Sequence, residues 1–357
     1  LIEWNNGTGT VEYIYYPNYS SPRIQPTQPE YYLIGNKYGG VYMKAKKAFL
    51  LIIVILLIPM LTACGVKVDD EYEPDLNEEA FRKTVLYFMN DDGFIVPVMK
   101  LIPWEEGIGK AALYNLVGTE SNNTELAMNG LKAVIPDGVK FELRISDKHA
   151  VLNIVNLPKL PDAKTEKALI ETVVNTLCEF PTIDRVSLMF DGNKVSRLEN
   201  GTAVPDKMSR ILLNVENEEL PVFADSVKAE YVTIYFPNNS YAQQVPINRR
   251  VENKTLLSAL EEMLKGANSP ALKNCFPEGT SVLSAEIIDG VCKVDFSEEF
   301  SALGETSDGA VEALYNSIYL TAMQFGEVKE LKLYVDGEPF ITDSFTVSAP
   351  LYPNVFK

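Results

Sequence analysis

A single histidine, His149, serves all 357 residues. Proton transfer near neutral pH draws on histidine more than on any other side chain, and zinc sites draw on clustered histidine and cysteine. The four cysteines, Cys64, Cys178, Cys275 and Cys292, are too dispersed for a zinc motif, and the three that follow Cys64 cannot form a fully paired disulfide framework. Basic side chains are also short: 32 Lys and Arg face 49 Asp and Glu, a net charge of −17. Phosphate backbones are held by Lys and Arg, so nucleic acid is excluded as an expected partner. No Gly-rich phosphate loop, G-x-S-x-G elbow or calcium loop occurs.

Long apolar runs are absent with one exception. Lys44, Lys46 and Lys47 precede Ala48 to Ile58, which continues through Pro59 and Met60 to Leu61. Crossing a bilayer takes about 20 apolar residues, and this run is shorter. A basic flank, a short apolar core and small residues before a cut describe a secretory signal. The cut site, Leu61-Thr62-Ala63-Cys64-Gly65, resembles the lipobox of bacterial lipoproteins, in which the cysteine is diacylated and becomes the first mature residue. Cys64 is therefore the expected lipidation site, and the lipid anchor the expected membrane attachment. Two acyl chains hold stably where one holds marginally.

Residues 1–42 are rich in Tyr, Asn and Pro and have no helical or strand period. They read as translated upstream sequence, with Met43 opening the signal peptide at 43–63 and a flexible acidic tether at 64–80. Removing residues 1–63 takes away five basic and three acidic side chains, which moves the net charge from −17 to −19.

The rest of the chain is written twice. "ALIETVVNTLCEF" at 168–180 stands 145 residues before "ALYNSIYLTAMQF" at 313–325. At that offset Leu169 falls on Leu314, Val173 on Ile318, Leu177 on Ala322 and Phe180 on Phe325. Steps of four, four and three mark one face of a helix. Val186, Leu188 and Phe190 then fall on Leu331, Leu333 and Val335, alternating as in a half-buried strand. Asp191-Gly192 falls on Asp336-Gly337, a strand-ending turn pair. Shorter pieces correspond at other offsets: "IPDGVKF" (135–141) with "FPEGTSV" (276–282), "AVLNIV" (150–155) with "GVCKVD" (290–295), and "TVLYFMND" (84–91) with "VTIYFPNN" (232–239).

Each half thus reads as strand, extended segment, helix, strand hairpin, second helix and last strand. The first helix of the second half spans Thr255 to Lys265, with Leu256, Leu257, Leu260, Met263 and Leu264 on one stripe and Gly266 ending it. Its counterpart runs from Ile108 to Val117 and ends at Gly118. The pattern predicts an α+β protein of two tandem small domains, each a mixed sheet with two helices on one face. The first is expected at 81–225 with its linker, the second at 226–345, and a tail at 346–357. Within the linker, "RILLNVEN" reads as a strand that crosses or extends the first domain. Two domains joined by a linker would raise the effective concentration of a second contact.

The run "VDFSEEF" (294–300), the Gly-containing loop, the "AL-x-N-S-I" helix and "LKLYVDGEP" resemble the GerMN, or Germane, family of sporulation and spore-germination proteins. The first half is a more divergent copy, with "IVNLPKL" in place of "VDFSEEF". The resemblance implies a fold like the ring-building motifs of secretion systems. It also implies a non-enzymatic scaffold or assembly lipoprotein on the outer forespore membrane, facing the intermembrane space. Its implied partners are proteins of the channel between mother cell and forespore, and a homo-oligomer or ring is left open. Two alternatives stay open: an accessory to a signalling system, like lipoproteins that carry a Germane domain beside a propeller, and a cell-wall hydrolase.

No catalytic, metal or cofactor-binding residue is expected. His149 reads as an exposed loop histidine at the tip of "ISDKHAVLNI", and Cys178 and Cys292 as structural thiols. A Cys275–Cys292 pairing is left open. Asp295, Glu298 and Glu299 are the nearest approach to a paired-carboxylate site, with Phe296 and Phe300 the buried residues around them.

Overall fold

Hydrophobic faces and caps together set the two long helices. Asp162 accepts from the Thr165 N–H at 2.7 Å and starts the helix Ala163–Cys178, while Ser307 accepts from the Ala310 N–H at 3.3 Å and starts the equivalent helix of the second half, Asp308–Ala322. Such caps contribute about 1 kcal/mol each. In the computed structural model the described residues are 81–103, 107–216, 230–340 and 352–356. Cys64, the signal peptide and the tether lie outside them.

The first half contains β1 (Phe81–Asn90), β2 (Ile95–Pro103), α1 (Ile108–Tyr114), β3 (Val117–Gly118), α2 (Glu120–Met128), β4 (Leu131–Lys132), β5 (Ile135–Pro136), β6 (Lys140–Ser146), β7 (His149–Val155), α3 (Ala163–Cys178) and β8 (Arg185–Phe190). After β9 (Val215–Glu216), the second half contains β10 (Glu230–Pro237), β11 (Gln244–Val251), α4 (Leu256–Leu264), β12 (Val282–Ile288), β13 (Val291–Phe296), a 3-10 helix (Glu298–Glu305), α5 (Asp308–Ala322), β14 (Glu330–Val335) and β15 (Glu338–Pro339).

The halves share a plan. An antiparallel hairpin, β1–β2 or β10–β11, is followed by a three-stranded unit in which β7 pairs antiparallel with β6 and parallel with β8. In the second half β13 stands between β12 and β14 in the same senses. Helix α3 packs on β1, and α5 on β10. Leu169, Val173 and Leu177 are buried, as are Leu314, Ile318 and Ala322. The last turns match too, with positive φ at Asp191 and Gly192 and again at Asp336 and Gly337. One backbone contact repeats: the Tyr87 N–H donates to Thr176 Oγ1 at 3.1 Å, and the Tyr235 N–H to Thr321 Oγ1 at 3.1 Å. The buried side chains of both halves form one continuous cluster.

Four details depart from expectation. Ala150 and Cys292 occupy equivalent register positions, because they pair with Val186 and Leu331. The match of "AVLNIV" to "GVCKVD" was therefore slipped by two residues, one full strand period, which left the inward faces correct. Helix α1 stops at Tyr114 rather than Val117. Asn122 Nδ2 donates to the Asn115 and Val117 carbonyls at 2.8 and 2.7 Å, and Val117–Gly118 pairs instead with Ile135–Pro136. On α4, Leu256, Leu260 and Met263 are buried, but Leu257 sits 100° off that stripe and is 40% exposed. Finally, β9 does form within "RILLNVEN", yet it extends the second half, pairing parallel with β11 at Asn248 and Arg249.

Candidate functional site at the seam between the halves

The residues with catalytic potential do not converge. Asp295 accepts from the Gly337 N–H at 3.1 Å, closing the β14 turn. Glu299 accepts from Ser297 Oγ at 2.6 Å, and that bond holds its carboxyl below the usual range. Glu298 is exposed, whereas Phe296 and Phe300 are buried and stacked at 4.3 Å. His149 is not a free loop side chain: it opens β7, is half-buried, and its Nε2 meets Ser187 Oγ at 2.8 Å. That hydroxyl donates to the Asp206 carbonyl, so the imidazole is the donor to Ser187 and cannot also take its proton. Burial, then Lys207 and Arg185, depress the His149 pKa. Cys178, Cys275 and Cys292 are free thiols, and burial pushes Cys275 to about 11 and Cys292 to about 12. No group of three potential metal ligands occurs among the described residues.

What does converge lies between the halves. Asn214, just before β9, accepts from the Ile95 N–H at 3.0 Å and donates to the Ile95 and Pro246 carbonyls, each at 2.8 Å. Asn354 accepts from the Gln244 N–H at 2.8 Å and donates to the Pro97 and Gln244 carbonyls at 2.8 and 3.0 Å. Ile95 and Pro97 on β2 correspond to Gln244 and Pro246 on β11, so the two asparagines make the same three bonds with the halves exchanged. The residues that follow repeat the exchange. Val215 pairs with Asn248 of the second half, and Val355 bridges in parallel to Met99 of the first.

Each half therefore sends its trailing segment as a strap across the other half's hairpin. Even the hairpin cations that meet the strap ends correspond. Arg249, 1% exposed, donates through Nη2 to Glu216 Oε2 at 2.6 Å and through Nη1 to the Glu262 carbonyl at 2.6 Å. Its counterpart Lys100 lies 4.4 Å over the ring of Phe356 and 3.1 Å from Glu125. The sequence held a trace of this: "LNVE" at 213–216 and "PNVF" at 353–356 stand 140 residues apart. Two shared residues in tails outside the periodic segments were too short a signal to read.

On the pseudo-twofold between the straps lies a cleft of about 690 Å³. It is lined in pairs by Tyr87 and Tyr235, Pro97 and Pro246, and Val85 and Thr233. The chemistry of its two sides differs. On the first, Tyr87 Oη donates to Glu179 Oε1 at 2.6 Å, and Arg210 Nη1 reaches Tyr87 Oη at 2.7 Å and Glu179 Oε1 at 2.5 Å. Burial, then the Glu179 carboxylate, raises the phenol pKa of both Tyr87 and Tyr235. On the second side Gln324 replaces Glu179. Its Oε1 accepts from the Thr233 N–H at 3.0 Å and its Nε2 donates to the Thr233 carbonyl at 2.6 Å.

Known proteins resemble both halves of the chain. The Germane model, described as sporulation and spore germination, matches residues 85–196 and 233–340. The spore germination protein GerM of Bacillus subtilis (strain 168) is 26% identical over 290 residues, which cover 78% of this chain and 78% of that protein. The solved structure of the tandem GerMN domains of the sporulation protein GerM from Bacillus subtilis is 25% identical, covers 78% of this chain and 100% of its own, and superposes with a TM-score of 0.60.

Proposed function

Because the chain belongs to the Germane family of sporulation and spore germination, we propose that it is a non-enzymatic lipoprotein that scaffolds a protein assembly between two membranes during sporulation. Cys64 carries its lipid anchor on the extracytoplasmic face of the outer forespore membrane, and its partners are proteins of the channel that joins mother cell and forespore. The likeness to tandem GerMN domains along both halves carries this reading. Two further features support it. The acidic groups around Asp295 are spent on a turn and a local hydroxyl bond rather than aimed across a cleft. The edge strand β12 also shows Leu283 and Ile288 about half exposed, at 51% and 50%, and strand edges with apolar side chains can pair with another chain. No helix among the described residues is long and apolar enough to cross a membrane.

The test has two arms. Metabolic labelling with an alkynyl fatty acid should mark the protein, and Cys64→Ala should lose both the label and membrane association. A pull-down with the intact chain from sporulating cells should recover channel proteins. A Cys64→Ala protein that stays labelled and membrane-bound, or a pull-down that recovers vegetative signalling proteins alone, overturns the reading.

A further inference from the structure

We propose that the first-half side of the seam cleft is a binding site for a neutral amide, held by the backbone of Val85 and the side chain of Asn175. This goes beyond the scaffold reading and does not depend on it.

The second half shows what the site is built to take. Gln324 sets its carboxamide against Thr233 and satisfies both backbone groups of that residue, as a neighbouring strand would. Val85 occupies the place of Thr233, and Glu179 the place of Gln324. A carboxylate has no N–H to give to a carbonyl. Glu179 turns instead to Tyr87 and Arg210, which leaves Val85 without that cover. Val85 cannot look to β2 either. It stands opposite Met99, whose own N–H and carbonyl are bonded to the strap at Asn354 and Phe356, so this is a pair whose backbone groups face away from each other. Among the described residues the Val85 N–H and carbonyl have no hydrogen-bond partner.

A second, independent observation comes from the same cleft. Asn175, one helical turn before Glu179, is 0% exposed and lines the same cleft. Its Oδ1 accepts from the Ile211 N–H at 2.9 Å, but its Nδ2 has no partner among the described residues. Buried donors are normally bonded, so an orphan on the wall of a cavity points to a missing acceptor. Its second-half counterpart is Leu320, which asks for nothing.

These groups define the ligand. Val85 needs an acceptor and a donor side by side, and Asn175 needs a further acceptor. A primary carboxamide offers N–H and C=O on one edge, as do the N–H and C=O of one residue in an extended peptide. An isolated secondary trans amide puts them on opposite edges and does not fit. Of the remaining walls, Tyr87, Tyr235, Pro97 and Pro246 are aromatic or apolar, Thr233, Asn248 and Gln324 are neutral and bonded to one another or to the backbone, and Arg210 already neutralises Glu179. A charged ligand would find no counter-ion. The volume falls within the usual range of small-ligand sites.

The experiment is a titration of the full chain, labelled at valine amides and asparagine side chains, followed by NMR. The probes are butyramide (a carboxamide alone), trialanine blocked by acetyl and methylamide groups (an extended backbone alone) and N-methylacetamide (a lone trans amide). We expect saturable shifts at the Val85 amide and Asn175 Nδ2 with butyramide or blocked trialanine, and none with N-methylacetamide. Whichever of the first two titrates identifies the source. Glu179→Gln should place its own carboxamide on Val85, as Gln324 does on Thr233, and abolish the response while the protein keeps its far-UV circular dichroism and a single unfolding transition, with some stability lost from the Tyr87 and Arg210 bonds. Asn175→Leu should weaken binding about tenfold, the effect of losing roughly one hydrogen bond. No saturable shift with either probe, or an undiminished response in Glu179→Gln, overturns the proposal.

Discussion

Asn354→Ala should unfasten the second strap, and the structure sets the cost. The substitution removes the acceptor of the Gln244 N–H at 2.8 Å and the donor to the Pro97 and Gln244 carbonyls at 2.8 and 3.0 Å. A bond of this kind nets about 0.5–1.5 kcal/mol, and a buried partner left unsatisfied costs about 1–3 kcal/mol. Water can reach part of this half-buried seam, so three bonds come to about 2–4 kcal/mol in total. Asn214→Ala removes the same three bonds with the halves exchanged and should cost the same within about 1 kcal/mol. Asn214→Asp is the sharper variant. It keeps the acceptor for Ile95 but turns a donor into an acceptor that faces two carbonyls, so it should cost at least as much as alanine.

Urea unfolding followed by far-UV circular dichroism reads the effect. With a slope of about 3 kcal/mol/M, the midpoint should fall by roughly 1 M in each alanine variant. The wild type should unfold in one transition, because the two halves share one buried cluster. Losses below about 1 kcal/mol at both asparagines, or two separated wild-type transitions, would refute the strap reasoning.

Four other outcomes are expected. Leu169→Ala and Leu314→Ala, both at buried equivalent positions, should each cost about 2–5 kcal/mol in the same urea assay. Asp191→Asn and Asp336→Asn should cost far less, since asparagine tolerates the positive φ of these turns. The Glu298→Gln, Glu299→Gln double variant should fold and complement a deletion strain at near-normal efficiency; a folded but inactive protein would favour the hydrolase alternative. Alkaline pH should destabilise the seam. The Tyr87 and Tyr235 phenols keep their protons in the folded state beyond the pH at which the unfolded chain releases them. Their contribution is therefore complete below about pH 10 and is lost as pH rises through the folded values. Urea midpoints that stay level from pH 9 to 11 would contradict this.

The repeat was legible because burial selects a face, and a face has a period. Leu169, Val173 and Leu177 announce α3 as plainly as Leu314, Ile318 and Ala322 announce α5. The same logic tolerated the two-residue slip at β7, which a period of two cannot see. Helix α2 was invisible for a related reason. Its nine residues bury only Leu126, and it is fixed instead by the Thr119 cap, which accepts from the Asn122 N–H at 3.2 Å. The cleft was hidden more deeply. Glu179, Arg210 and Asn175 acquire meaning only when two distant halves are folded together, and no local pattern encodes that.

The straps also change how the tandem arrangement works. Two modules on a slack linker would gain from avidity, each binding weakly and the pair firmly. Here Asn214 belongs by sequence to one half and by hydrogen bonds to both, as does Asn354. A fragment cut between the halves keeps its own strap but loses the one that covers its hairpin, leaving β2 or β11 with unpaired backbone. Loss of partner binding by single halves would therefore report damaged folding as readily as lost avidity. The informative comparison keeps the chain whole and alters one exposed edge at a time, for instance Leu283 and Ile288 of β12. Reciprocal straps also account for where the halves differ. Asn214 and Asn354, Pro97 and Pro246, and Tyr87 and Tyr235 are retained where each half must fit the other. Glu179 and Gln324, or Asn175 and Leu320, differ on the two sides of the cleft, and each takes its own partners: Glu179 holds Tyr87 and Arg210, Gln324 the Thr233 backbone, and Asn175 the Ile211 N–H. Divergence within one molecule thus marks the residues free to acquire a task of their own.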